Sequence, residues 1–115
     1  AVRIHSCGIS DHLITSMSHI KNLRIIDTGS GTSVGKIRKL MGPEFIIHIA
    51  PPMEMMMERV PQSEILSWLD ITLKENEGGP LQIAYHFERD YEISNCLAMH
   101  DELERRGLIT NKRLY

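Results

Sequence analysis

The sequence predicts an α/β fold: a small two- or three-layer sandwich with about four mostly parallel strands in the order βαβαβαβα. Three observations predict it. Short apolar runs alternate with segments whose apolar residues recur at helical spacing, the signature of βαβ units. The run "EFIIHIA", residues 44–50, is apolar almost throughout, as suits a central strand covered on both faces. Turn-forming Gly, Pro, Ser and Thr stand where one period gives way to the next. Crossovers between parallel strands are expected to be right-handed. A ferredoxin-like α+β arrangement is the alternative, because the last strand reads as half exposed.

Residues 2–6 alternate apolar and polar and predict a first strand, ended by Cys7-Gly8. Ser10 is a candidate N-cap for a helix over 11–21, with Leu13, Ile14, Met17 and Ile20 inward. Residues 23–27 form the second strand. A turn over 28–32 follows, and Thr32 or Ser33 caps a helix carrying Val34, Ile37, Leu40 and Met41, which Gly42-Pro43 stops. The third strand, 44–50, ends at Pro51-Pro52. The segment "MEMMMERV", 53–60, fits a short helix or an ordered loop. A helix over 63–75 places Ile65, Leu66, Leu69 and Leu73 on one face and ends at "NEGGP". Residues 81–88 alternate, with Leu81, Ile83, Tyr85 and Phe87 on one side, as in a strand near a sheet edge. The last helix, 92–106, turns Ile93, Cys96, Leu97, His100 and Leu103 inward. Gly107 caps it, with Leu108 closing the cap.

The 115 residues suit a single domain, with 110–115 a polar tail. Apolar residues make up 42% and charged residues 24%, which excludes a disordered chain. The net charge of -2 offers no excess of cations for a nucleic-acid backbone, so no nucleic acid is expected. The basic groups Lys36, Arg38, Lys39 and Arg105, Arg106, Lys112, Arg113 read as solvated charges. Two cysteines make no disulfide framework, and no apolar run reaches bilayer length. A cytoplasmic protein without a membrane segment is therefore expected.

The stretch "LRIIDTGSGTSVGK", residues 23–36, lies at the carboxyl end of a strand, where open parallel sheets bind ligands. It is not a Walker loop. Ser30 stands where that pattern needs its first Gly, and Ile37 follows Lys36 in place of Ser or Thr. "IIDTGS" resembles the Asp-Thr-Gly-Ser motif of aspartic proteases, which would imply a homodimer pairing two copies of Asp27. Those proteases in their retroviral form are all-β, and this chain carries four helical patterns. "LRIIDTGSGTS" resembles the first motif of Rossmann-type S-adenosylmethionine-dependent methyltransferases. That resemblance would assign Asp27, Gly29 and Gly31 to the cofactor. Ser33 replaces a further Gly, and the third strand ends in Ala50-Pro51-Pro52 instead of an acid, with Glu54 nearby. The same residues also suit a plain strand-to-helix turn, with Gly for backbone freedom and Asp27 bonding the turn's own N–H groups.

The expected function is binding of a small anionic or nucleotide-like ligand at 27–36. Asp27 would accept hydrogen bonds from ligand hydroxyls. Gly29, Ser30 and Gly31 would allow close backbone approach, while Ser33 and Lys36 would hold negative charge. The competing expectation is an assembly protein, a homodimer or partner binder, using Met53, Met55, Met56 and Met57, whose flexible thioethers suit adaptable contacts. The cofactor and any reaction are left open. Lesser candidates are His5 with Cys7 on one strand face and Cys96 with His100 on one helix face, as metal pairs or core packing. Cys7 near Asp11 and His12 is a candidate nucleophile or a small buried thiol. "ERDYE", 88–92, is a candidate acid/base loop or a solvated one.

Overall fold

A computed structural model of the chain describes residues 1–57 and 59–110. The proposed tail lies outside the described residues except for Thr110. Four strands, β1 (Val2–Ser6), β2 (Leu23–Thr28), β3 (Ile46–Ile49) and β4 (Leu81–Ile83), form one sheet in the order β1-β2-β3-β4. All three pairings are parallel, which excludes the ferredoxin-like alternative. The helices are α1 (Ile14–Met17), α2 (Val34–Met41), α3 (Gln62–Asn76) and α4 (Ile93–Arg105). They alternate with the strands as expected.

Strand order 1-2-3-4 with right-handed crossovers sends each helix to the same side of the sheet. The side chains agree. Ile4, Ile26, Ile47, Ile49, Leu81 and Ile83 pack with Ile14 and Met17 of α1, Val34 and Ile37 of α2 and Trp68 of α3. A second cluster joins Ile65 and Leu69 of α3 to Cys96 and Met99 of α4 and to Met56. The opposite pleat carries Arg3, His5, Ile25, Asp27, Ile46, His48 and Gln82, which belong to neither cluster. One face of the sheet is thus an apolar floor for helices, and the other is largely polar.

Several elements differ from expectation for local reasons. The helix expected over 11–21 is a 3₁₀ turn, Asp11–Leu13, followed by one α-helical turn. Ser18 Oγ donates to the Thr15 carbonyl, a local bond that competes with helix continuation. Ser10 makes no side-chain cap. It is buried, and its hydroxyl pairs with Ser6 Oγ at 2.6 Å. Leu13, Ile20 and Leu40 are exposed rather than inward. Strand β3 begins at Ile46, since the Phe45 carbonyl is taken by Arg38. Strand β4 stops at Ile83, short of the expected end at 88. Met53–Met56 is a 3₁₀ turn. In α4 the buried residues are Asn95, Cys96 and Met99, whereas Ile93, Leu97 and His100 face out. Asn95 sets that phase by donating to the Met55 and Val60 carbonyls. The end of α4 is as expected: Gly107 has φ 69°, Gly107 N donates to Glu104 O and Leu108 N to Leu103 O.

Arg38 corrects the reading of its basic group as solvated. It is 4% exposed and donates to the carbonyls of Gly42, Pro43, Phe45 and Pro80 and to Asn76 Oδ1. Asn76 in turn donates to the Gly79 carbonyl at 2.6 Å. The guanidinium ties the ends of α2 and α3 to the starts of β3 and β4.

Candidate functional site

The glycine turn is built against the loop that leaves β1. Gly29 N donates to the Ser6 carbonyl, and a Cβ at Gly29 would lie 2.5 Å from the Cys7 carbonyl oxygen. A Cβ at Gly31 would lie 2.6 Å from Ile9 Cγ1. Thr32 Oγ1 accepts from Ser10 N and donates to the Gly8 carbonyl. Neither Gly29 nor Gly31 has a positive φ. Close packing of two loops, not backbone handedness, is what these glycines serve.

Ser33 is the N-cap of α2, and its Oγ accepts from Lys36 N at 3.2 Å. Two carboxylates of the chain itself stand at this helix start. Asp11 Oδ1 accepts from Ser33 N at 2.8 Å, and Glu75 Oε2 accepts from Gly35 N at 3.4 Å. They complement the positive end of the helix dipole. Lys36 is exposed beside them, and Ser30 is half-buried in the turn.

Asp27 faces elsewhere. Successive strand residues point to opposite sides. Thr28 is buried on the helix side, and Asp27 lies on the polar side. Parallel register puts it opposite His5 on β1 and His48 on β3. Arg3 Nη2 donates to Asp27 Oδ2 at 2.5 Å, and His5 Nδ1 lies 3.1 Å from the same oxygen. Burial pushes the Asp27 carboxyl up, but the hydrogen bonds from Arg3 and His5 outweigh it, so its pKa falls below the ordinary value. Arg3 Nη2 also lies 3.4 Å from His48 Nδ1. On the other side of the His5 ring, Nε2 lies 2.9 Å from Cys7 Sγ, and Cys7 is exposed.

No family model, curated protein or solved structure matches the chain. The site therefore rests on its own geometry. Of the expected residues, the structure brings Gly29, Gly31 and Ser33 together against residues 7–11 and leaves Asp27 on the polar sheet face with Arg3 and His5. The partner of Cys7 is His5, with which it shares a strand face, and not the sequence neighbour His12. Arg3 was missed. Its signal was its place two residues before His5 on the same strand face.

The lesser candidates separate. Cys96 is buried against Met56, with Sγ and Sδ 4.0 Å apart, while His100 is exposed on the outer face of α4. Among the described residues, His100, Asp101 and Glu104 are the one set of ligand-type side chains within 4.8 Å of one another, all exposed on that outer face. The methionines divide as well: Met56 is buried, Met55 is half-buried, and Met53 and Met57 are exposed. Met53, Met57 and Tyr91 line a cavity of about 550 Å³ together with Glu54 and residues 88–90. Among the described residues, no helix is long and apolar enough to cross a membrane.

Proposed function

We propose that this domain binds a small polar ligand, anionic or nucleotide-like, at the carboxyl end of β1 and β2. One observation carries the reading: Arg3, His5 and Asp27 form a charged, solvent-accessible row on a parallel sheet, a surface that such sheets ordinarily bury under helices. Among the described residues Arg3 and His5 both engage Asp27 Oδ2, and Oδ1 would accept a ligand hydroxyl. Arg3 supplies positive charge on this face, and the exposed Lys36 stands at the start of α2. An anion placed directly on the start of α2 would meet Asp11 and Glu75, so the ligand's negative groups belong on the Arg3 and His5 side.

A thermal-shift panel of nucleotides, sugar phosphates and S-adenosylmethionine, run beside Asp27→Ala, tests this. A ligand at 100 times its Kd stabilises by about 2.7 kcal/mol, several degrees for a domain of this size. The expected result is a shift that the variant loses. A panel that moves neither protein removes the proposal.

A second reading rests on Met53, which is 65% exposed beside the cavity it lines with Met57 and Tyr91. Exposed thioethers around a concave apolar surface suit a protein contact. Sedimentation of the chain and of the double variant Met53→Glu, Met57→Glu tests it. A parent that sediments as a monomer without partner would count against it.

A further inference from the structure

We propose that Cys7, His5 and Asp27 act as a thiol relay that accepts an acyl group from an ester or thioester. The geometry has the order nucleophile, base, orienting acid. Cys7 Sγ lies 2.9 Å from His5 Nε2, and Asp27 Oδ2 lies 3.1 Å from His5 Nδ1. The two contacts use opposite nitrogens of one ring, as proton transfer from a nucleophile to an oriented imidazole requires. Arg3 Nη2 donates to the same Asp27 Oδ2 at 2.5 Å and holds the carboxylate in its charged form.

The fold delivers this arrangement through two simple periodicities. His5 and Cys7 are two residues apart along one chain direction, so both face the polar side of the sheet. Asp27 stands directly opposite His5 in the β1–β2 register. Cys7 falls one residue past the end of β1, where its thiol is exposed. Among the described residues, a Cβ on Gly8 would meet nothing within 4 Å apart from its own chain neighbours, which leaves approach space for an electrophile.

Other uses of the thiol fit less well. A disulfide needs a second sulfur, and Cys96 is buried in the cluster around Met56. A metal ion needs about four donors. Here Sγ and Nε2 would supply two, and the other His5 nitrogen already faces Asp27. In the acyl step, the Cys7 proton moves to His5 Nε2 and the sulfur attacks the carbonyl carbon. The bond from that carbon to the leaving oxygen or sulfur breaks, and the leaving group takes the proton from His5. The product is a thioester on Cys7. Water, giving a proton to His5, then attacks the thioester carbonyl; the carbon–sulfur bond breaks, the acyl group leaves as a carboxylic acid, and the Cys7 sulfur takes the proton back from His5.

The test treats the full chain with p-nitrophenyl acetate, follows nitrophenolate release, and maps the acetyl group by mass spectrometry of peptides. The expected result is an acetyl group on Cys7, with His5→Gln slowing its formation by about 100-fold. His5 is exposed, so this variant should keep the parent's circular dichroism. Asp27 acts through His5, so Asp27→Asn should move the acid limb of the pH–rate profile to lower pH. The charged and titratable neighbours that shape the profile are Arg3 on β1 and Asp27 opposite His5, with His48 on β3 beyond Asp27. Acetylation of Cys7 at an unchanged rate in His5→Gln, or acetyl groups on lysines with none on Cys7, would overturn the proposal. Cys7→Ser separates it from the ligand reading, since that variant should lose acylation and keep any thermal shift.

Discussion

Position 29 has no room for a side chain, and the obstacle is backbone. The Cys7 carbonyl oxygen cannot swing aside as the end of a side chain can. Overpacking of this kind typically costs 1–3 kcal/mol. Gly29→Ala should therefore destabilise the domain by about 2 kcal/mol, read as a lower urea midpoint. Gly31→Ala meets Ile9 at Cγ1, and that exposed side chain makes room only by turning about χ1, so the loss should be smaller, about 1 kcal/mol. Gly8→Ala meets no described residue and should stay within about 0.5 kcal/mol of the parent. Equal losses at 29 and 31 would show that the turn tolerates neither, against the geometry. The "DTGSG" stretch thus combines two jobs that its sequence alone presents as one. Its glycines let the β2 turn lie on the β1 loop, and its acid belongs to the sheet face. The position of Asp27 at the end of a strand was legible from the apolar run before it. Its pairing with His5 was not, because strand register depends on which residues oppose each other across β1 and β2.

Elements were legible where their apolar residues repeat and their ends carry clear stop signals. Helix α2 shows both, with Val34 and Ile37 inward, Ser33 at its start and Gly42 at its end, with φ 90°. Ser33→Ala should cost about 1 kcal/mol, since Lys36 N loses its side-chain acceptor. Helix α4 was legible in extent but not in rotation. Its apolar residues Ile93 and Leu97 offered one stripe, and the bonds of Asn95 to Met55 and Val60 select another. Polar anchors of this kind do not appear in a hydrophobic pattern. Arg38 is the strongest case, a cation on α2 that reads as surface and lies inside. Its removal leaves the Phe45 carbonyl and the side-chain oxygen of Asn76 without their donor, while the Pro80 carbonyl keeps Ile47 N. Each orphaned buried acceptor costs about 1–3 kcal/mol. Arg38→Ala should thus cost about 3 kcal/mol or more in chemical denaturation, well beyond the Lys39→Ala control on the exposed face. Similar midpoints for the two variants would contradict the buried network.

At the scale of the whole molecule, strand order decides where function can sit. Ligands in open α/β sheets usually occupy the crevice where strand order reverses. The order 1-2-3-4 contains no reversal, so helices gather on one side and no such crevice opens. The polar face takes its place as the surface with chemistry, and it makes the fold sensitive to acid. His48 is 3% exposed on that face. Burial pushes its pKa down first, Arg3 adds to the effect, and Asp27 opposes it. A histidine whose folded pKa lies below its unfolded value of about 6.5 binds fewer protons when folded. Its stabilising contribution is therefore present above about pH 6.5 and is lost as pH falls from there toward the folded pKa. Asp27 follows at lower pH, because its folded pKa is depressed. Its contribution is present above the unfolded carboxylate value of about 4 and is lost as pH falls through the folded one. Acidification should weaken the domain in two stages, the first through His48 and the second through Asp27. Denaturant midpoints measured from pH 8 to pH 3 check this in the parent, His48→Gln and Asp27→Asn. The first variant should flatten the slope just below pH 6.5, and the second should flatten the slope below pH 4. A parent whose midpoint stays constant down to pH 5 would show that protonation of His48 is not coupled to unfolding.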